Sequence, residues 1–285
     1  MPELPEVECV RRGLARANLS SKVISSVWRS ELALRTGAFW RDERLHLLMR
    51  ARTGEFERRG KFLLWRLTSP KKQALGAVIH LGMTGRVTVC DPGTPRAPHT
   101  HLEIVVTGGP CIHYTDARRF GGVHVDTMAR LEEEGPLASL GTEPLSRAFN
   151  AQVLQDRAGR SKRAIREVLL DQRVVAGLGN IYVSEALHLA GIPPLAPAVE
   201  LRTPAWERLS VAIRDVLRQG IRNGGTTLRD YRGSQGERGR NQSALRVYGR
   251  AGQACFTCGK KLHGYVHAGR SGVTCRSCQP VRRRT

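Results

Sequence analysis

Residues 255–278 read CFTCGKKLHGYVHAGRSGVTCRSC. Two Cys-x2-Cys pairs, Cys255/Cys258 and Cys275/Cys278, stand sixteen residues apart. A pair at that spacing forms a knuckle that supplies half of a tetrahedral thiolate site for Zn²⁺. About forty C-terminal residues do not bury a core unaided, so a metal staple is the reading that lets them fold. Two disulfides or a redox pair are the alternatives, but no βαβ pattern surrounds either pair. Four cysteines leave no position open for water, so the expected metal is one structural Zn²⁺. Between the pairs, Lys260, Lys261 and Arg270 are expected on a hairpin turn, as phosphate contacts or as solvated cations.

The charge balance leads outward from this module. The chain has 285 residues, 40% of them hydrophobic, and a net charge of +21. Residues 236–285 hold eleven Lys/Arg against Glu237 alone. So concentrated an excess favours a polyanionic partner, nucleic acid first, over an Arg-rich proteome. No stretch approaches the roughly 20 apolar residues of a membrane span. MPELPEVECVRRG at the N terminus has no apolar signal region, so a cytoplasmic protein is expected. The remaining cysteines, Cys9, Cys90 and Cys111, are scattered and read as reduced core thiols.

Residues 5–17 have the pattern of an amphipathic helix, with Val7, Val10, Leu14 and Ala17 on one face. From about 22 to 126 the period is two, as in Leu63-Trp65-Leu67 and Leu102-Ile104-Val106, which predicts a sandwich or barrel. Residues 128–146 read as a linker. Helical spacing returns at Ile165–Leu169, at Ile181–Leu189 and after Thr203-Pro204. Residues 224–242 have no apolar period and read as a long mobile loop. The expected domains are therefore 1–127, a linker 128–146, a helical domain with its loop at 147–242, and the cysteine module at 243–285.

The opening string MPELPEVE carries chemistry of its own. Loss of the initiator Met would expose the amine of Pro2. A terminal α-amine has a pKa near about 8 and is partly unprotonated at neutral pH. A secondary amine can attack a sugar carbon and pass to an iminium, and Glu3 and Glu6 stand next to it as proton carriers. Taken alone, the two acids can equally serve the helix dipole.

Further strings accompany it: RRGKFLLW (58–65), HLGMTG (80–85), YTDARRFGG (114–122), LLDQRVVAGLGNIYVSEAL (169–187), GGTTLRDY (224–231) and VYGRAGQAC (247–255). With the four-cysteine module they closely resemble the formamidopyrimidine-DNA glycosylase family, shared with endonuclease VIII, from end to end. The resemblance implies an α+β, two-domain clamp on DNA. An N-terminal β-sandwich would carry the terminal helix. A helix–two-turn–helix domain plus zinc finger would form the C-terminal half.

By that resemblance Pro2 attacks C1′ of an oxidised purine nucleotide, Glu3 acts as general acid toward the sugar, and Glu6 supports it. Arg270 matches the position assigned to the last elimination, and Lys61 a lysine near the lesion phosphate. His99, Arg118, Lys162 and Asn180 match DNA-contacting positions. Met83, Arg118 and Phe120 match residues that fill the space of an extruded base. Read without the resemblance, Lys61 is an exposed strand-end lysine, Asn180 a helix cap, and Met83 and Phe120 core residues. The segment Arg238-Gly239-Arg240-Asn241 departs from the family, where aromatic residues are more usual. MPELPEVE and HLGMTG favour the formamidopyrimidine branch over an endonuclease VIII-like enzyme for oxidised pyrimidines. A zinc-finger DNA-binding protein without catalysis is the reading from another class; it predicts a missing catalytic group, yet Pro2, Glu3 and Lys61 are present. The expected partner is double-stranded damaged DNA, bound by a monomer with no small-molecule cofactor.

Overall fold

The sandwich begins with α1, Leu4–Ala15. Glu3 takes an extended N-cap conformation and Pro5 occupies the first turn, where its missing N–H costs nothing. Val7, Val10 and Leu14 recur at helical spacing and are buried, while Ala17 lies past the helix end. The computed structural model describes residues 1–32, 42–227, 233 and 237–281. These form two compact units, Met1–Ser139 with Ile221–Arg240, and Leu140–Gly220 with Asn241–Thr285.

Among the described residues of the first unit, eight strands follow α1: β1 (Ile24–Arg29), β2 (Arg52–Arg59), β3 (Phe62–Thr68), β4 (Ala74–His80), β5 (Arg86–Cys90), β6 (Thr100–Val106), β7 (Cys111–Thr115) and β8 (Gly122–Thr127). They make two antiparallel four-stranded sheets, ordered β1-β6-β7-β5 and β2-β3-β4-β8. Period-two alternation turns Leu102, Ile104, Ile112 and Tyr114 of one sheet inward. Leu63, Trp65, Ile79 and Val125 of the other join them, with Val7, Val10 and Leu14 of α1, in one buried cluster. Trp65 is fully buried, stacks on Phe56 at 4.8 Å, and donates its indole N–H to Gly54 O at 3.2 Å. Truncating a side chain so placed costs about 3–5 kcal/mol.

The stretch expected as linker contains a helix, α2 (Met128–Glu133), capped by Thr127. Its Met128 and Leu131 lie so close to Gly76 of β4 that a Cβ there would come within 2.8 Å of both. Two apolar side chains in six residues are too few to show a helical period.

The second unit holds α3 (Ala151–Ala158), α4 (Ile165–Leu170), α5 (Asn180–Ala190), most of α6 (Thr203–Arg222), and the hairpin β9 (His263–His267) and β10 (Arg270–Thr274). Helix α3 escapes the sequence pattern because only Leu154 and Ala158 are buried, though Asn150 caps it through Val153 N–H at 2.9 Å. A double turn at 171–179 joins α4 to α5. Gln172 holds it, donating to the carbonyls of Leu170 and Leu178 and accepting from Gly177 N–H. Gly177 takes φ +92°, which a side chain would resist. Buried Glu185 of α5 accepts the N–H groups of Arg246, Val247 and Tyr248 within 2.9 Å, tying the approach to the cysteine module onto the helix.

The division differs from the expected boundaries in three respects: the expected linker 128–146 parts at 139/140, the cysteine module clusters with the helices, and the loop segment does not. Segment 221–240, expected with the helical half, clusters with the sandwich. Cys9 Sγ lies 3.7 Å from Ile221 O, and Thr226 N–H reaches Glu6. Of the expected loop 224–242, residues 228–232 and 234–236 lie outside the described residues. Among the described residues no helix is long and apolar enough to cross a membrane.

Candidate active site and DNA interface

Helix α1 brings three of the predicted residues together at its start. Pro2, Glu3 and Glu6 are all buried, Glu3 and Glu6 to 2% exposure. The Glu6 carboxylate accepts Glu3 N–H at 2.9 Å through one oxygen and Thr226 N–H at 2.7 Å through the other. Glu6 is thus held by backbone donors on both sides. With the Glu3 side chain accepting Glu6 N–H, the first of these bonds closes a capping box, while the second reaches beyond the helix. Thr226 is a site residue the sequence reading missed, because nothing in GGTTLRDY marks a contact 220 residues away.

Lys61 is placed by a two-residue turn between β2 and β3. Gly60 takes φ +57° at the first central position, the one a type II′ hairpin reserves for glycine. Lys61 is buried at 7% exposure, which overturns its reading as an exposed strand-end lysine. Phe62 pairs with His80 across β3 and β4. Burial, and next the charge of Lys61, bring His80 down to about 4, while Asp116 acts the other way. His80 is therefore neutral at pH 7.

Two adjacent loops carry the expected space-filling residues. Asp116, fully buried, accepts Gly121 N–H at 2.8 Å, Arg118 N–H at 3.3 Å and the Thr84 hydroxyl. Thr84 Oγ1 in turn accepts Arg118 N–H at 3.1 Å. The loop 81–85 is so laced to 116–121. Gly82 takes φ +56°, and a Cβ there would strike the Phe120 and Gly121 backbone at 2.4–2.5 Å. Met83 stands 39% exposed, Arg118 is exposed, and its guanidinium lies 4.7 Å from the half-buried Phe120 ring. Neither Met83 nor Phe120 belongs to the core cluster. His99 is exposed in a left-handed conformation, and its carbonyl accepts Asp116 N–H at 3.0 Å. The Asp116 carboxylate thus fixes the backbone around Arg118 and Phe120, and its own backbone N–H holds His99.

The base of the 224–242 segment is closed. Arg240 N–H donates to Asn223 O, and Gly239 N–H to Thr227 Oγ1, both at 2.9 Å. Gly239 is needed there, since a Cβ would meet Gly225 O at 2.1 Å.

In the second unit the N-cap of α5 is Gly179, not Asn180. Asn180 accepts Arg166 Nη2 at 2.6 Å and donates to Ser271 O at 3.0 Å. Arg166, buried, also donates to Ser271 O at 2.7 Å and to His267 O at 3.4 Å. Asn180 is therefore fastened to the β9–β10 hairpin, and Arg166 is a residue the sequence reading missed. Arg270 is exposed at the start of β10, and Lys162 is exposed ahead of α4. Lys260 and Lys261 are not on the hairpin turn; they lie within the first knuckle, where Cys255 N–H donates to Lys260 O.

The thiols of Cys255, Cys258, Cys275 and Cys278 lie within 4.8 Å of one another and form a group able to hold a metal ion. Cys255–Cys278 and Cys258–Cys275 are separated by 3.9 and 3.5 Å. The S···S edge of a tetrahedral Zn–thiolate site is about 3.8 Å, so the donor set fits the metal. Each knuckle closes alike, with Gly259 N–H on Cys255 O and Gln279 N–H on Cys275 O, both at 2.8 Å. Burial raises the Cys255 thiol, while the N–H groups of Cys258 and Thr257, with His188 and Cys275, together bring it down to about 5.

Comparison with known proteins places this arrangement. Residues 1–123 match the formamidopyrimidine-DNA glycosylase N-terminal domain, and residues 140–232 the H2TH domain of the same enzymes. The formamidopyrimidine-DNA glycosylase of Geobacillus kaustophilus is 41% identical over 98% of this chain and all of its own. The structure of the Thermus thermophilus protein MutM (Fpg) superposes with a TM-score of 0.84 at 37% identity, covering 98% of each chain. A Lactococcus lactis Fpg mutant in complex with Fapy-dG-containing DNA superposes at 0.87 and 30% identity, over 98% of this chain and all of that one. Fold and site together define a DNA glycosylase of the sandwich-plus-H2TH class. Within that class, the chain belongs to the formamidopyrimidine-DNA glycosylase family.

Proposed function

We propose that this protein excises oxidised purines from double-stranded DNA and then cuts the strand, using the amine of Pro2 as nucleophile. The observation that carries the reading is the pair of buried carboxylates, Glu3 and Glu6, at the head of α1 directly after Pro2. Removal of Met1 frees the amine. Its lone pair bonds to C1′, and the C1′–N bond breaks with its electrons leaving on the base. The proton on the alkylated amine passes to the departed base, Glu3 protonates the sugar ring oxygen, the ring opens, and an iminium joins Pro2 to C1′. The iminium acidifies C2′–H, so proton loss expels the 3′ phosphate; a second elimination expels the 5′ phosphate. Glu6, held by the backbone N–H groups of Glu3 and Thr226, positions the start of α1, and proton transfer is assigned to Glu3.

Lys61, Lys162, Asn180 and His99 are assigned to DNA phosphates. Arg270 supports the departing phosphate by charge, since a guanidinium does not readily lose a proton. Met83 and Phe120 replace the stacking lost on base extrusion, and Arg118 pairs with the widowed base. The four-cysteine group holds one structural Zn²⁺ that keeps the β9–β10 hairpin in shape. The enzyme is assigned to the cytoplasm, as a monomer.

Borohydride trapping on a duplex carrying 8-oxoguanine opposite cytosine tests the reading. The processed protein is expected to form a covalent adduct, and Pro2→Gly or an N-terminal tag to abolish most of it. Tight binding with no adduct would sink the catalytic assignment. Faster cutting of a thymine glycol duplex would move the enzyme to the oxidised-pyrimidine branch.

A further inference from the structure

Cys90 and Cys111, read from the sequence as isolated core thiols, are neither isolated nor part of the core cluster. Cys90 closes β5, an edge strand, and pairs in register with Cys111 of β7. Ile112 and Tyr114 of β7 face the sandwich interior, so Cys111 and His113 share the outer face of the sheet. On the next strand, Leu102 and Ile104 face inward, and Glu103, in register with His113, faces outward.

Three donor atoms converge on that face, and a fourth, Glu103 Oε2, lies beside the histidine. Cys90 Sγ lies 2.9 Å from Cys111 Sγ, Cys111 Sγ lies 3.7 Å from His113 Nε2, and His113 Nε2 lies 2.8 Å from Glu103 Oε2. The two thiols and the imidazole nitrogen all fall within 4.8 Å of one another, forming, with the C-terminal cysteines, one of two such groups among the described residues. Although they point away from the core, Cys111 and His113 are almost fully buried. Asp91 O takes the Cys111 thiol at 3.3 Å, and Arg96 lies over the Trp28 ring at 3.9 Å. Arg96 also binds the second oxygen of Glu103 at 2.9 Å, leaving Oε2 aimed at the histidine. Gly93, Pro95, Glu103 and Cys111 help to line a cavity of about 280 Å³, which gives an ion access.

We infer that Cys90, Cys111 and His113, with Glu103 as fourth donor, form a second metal site for a thiophilic divalent cation, zinc(II) first. Two sulfurs and an imidazole select zinc over magnesium or calcium, which take oxygen ligands. For bonds of about 2.3 Å to sulfur and 2.0 Å to nitrogen, a tetrahedron has S···N edges near 3.5 Å, and the 3.7 Å of Cys111–His113 fits. The thiols must part by about 1 Å to reach their own edge, a small rotation of two side chains. Both thiol protons leave to solvent as the metal enters, and the proton that His113 Nε2 shares with Glu103 is exchanged for one on Nδ1, which frees Nε2 to ligate. Arg96 orients Glu103 and offsets the net negative charge of two thiolates and a carboxylate around a dication. The ion clasps edge strand β5 to β7 and β6, on the face the core does not hold.

Metal counting on the full-length, reduced, zinc-saturated protein tests the inference. Wild type is expected to hold two zinc ions, Cys111→Ser one, and Cys258→Ser one, the latter retaining the sheet site. Because Cys111 is buried, His113→Asn and Cys90→Val serve as second variants, with circular dichroism confirming their fold; each is expected to lose one ion. Cobalt(II) added to protein with one zinc bound is expected to show thiolate-to-metal absorption that Cys90→Val abolishes. One zinc per wild-type chain at saturation, with no such absorption, overturns the site. So does an intact mass two units low from a Cys90–Cys111 disulfide that persists under mild reductant and blocks the second ion.

Discussion

Thr226 N–H donates to Glu6 Oε1 at 2.7 Å, although the two residues are 220 positions apart. The bond fastens the base of the 224–240 segment to the helix that follows Pro2, the proposed nucleophile. Thr226→Ala keeps the backbone donor and, at a buried position, is expected to cost about 1 kcal/mol. Thr226→Pro removes it and leaves a buried carboxylate oxygen short of a partner, costing roughly 1.5–3 kcal/mol. Urea denaturation and single-turnover excision read the two variants; equal behaviour of both would show that the bond does not hold the segment.

Asp116 is expected to matter as much to DNA as to stability. Asp116→Ala strands the N–H of Gly121 and the Thr84 hydroxyl inside the protein, at a cost of roughly 3 kcal/mol. It also releases the backbone that presents Arg118 and Phe120. Affinity for a duplex with an abasic site should fall more than affinity for undamaged duplex. A uniform loss on both would mean that the lacing does not serve base extrusion.

His80 makes acid stability a test of the Lys61 pocket. Its folded value, about 4, lies below the ordinary 6.5, so the unfolded chain binds the extra proton first. Stability from this site is present above pH 6.5 and is lost as pH falls toward 4. His80→Asn is expected to flatten the fall of melting temperature over that window. An unchanged slope would show that His80 titrates normally.

Metal removal addresses the C-terminal module. Chelation, or Cys258→Ser, is expected to lower DNA affinity at least tenfold and to unravel the β9–β10 hairpin, since metal binding supplies the folding energy of so small a unit. Fluorescence anisotropy and zinc analysis measure both. Full affinity in a protein stripped of zinc would remove the hairpin from the interface.

The salt dependence of binding checks the basic excess of the chain. Several neutralised phosphates predict a steep, linear fall of log K with log salt. A flat response would place the charge of residues 236–285 away from the DNA.

Much was legible in the sequence because periodicity and spacing report local constraints. Alternation in 62–68 and 100–106 gave the two sheets their inner faces, and CxxC spacing put four thiols together. Helices α2 and α3 were not legible, since each buries only two apolar side chains. Asn180 reads as a cap, yet Gly179 caps the helix and Asn180 is bound to Arg166 and Ser271. Asp116, Gln172 and Arg166 carry no spacing signal, because each works by gathering backbone groups that only the folded chain brings near.

The order of residues alone pointed to the family, through strings along the whole chain, and to the four-thiol module, through Cys-x2-Cys spacing, because short motifs survive without a fold; it also set Pro2 beside Glu3 and Glu6. Tertiary structure decided what surrounds them. It buried Glu3, Glu6 and Lys61, tied Thr226 to Glu6, and set Cys90 opposite Cys111 and His113 on one sheet face. Those pairings depend on strand register and chain closure across tens to hundreds of residues, distances over which local pattern carries no information.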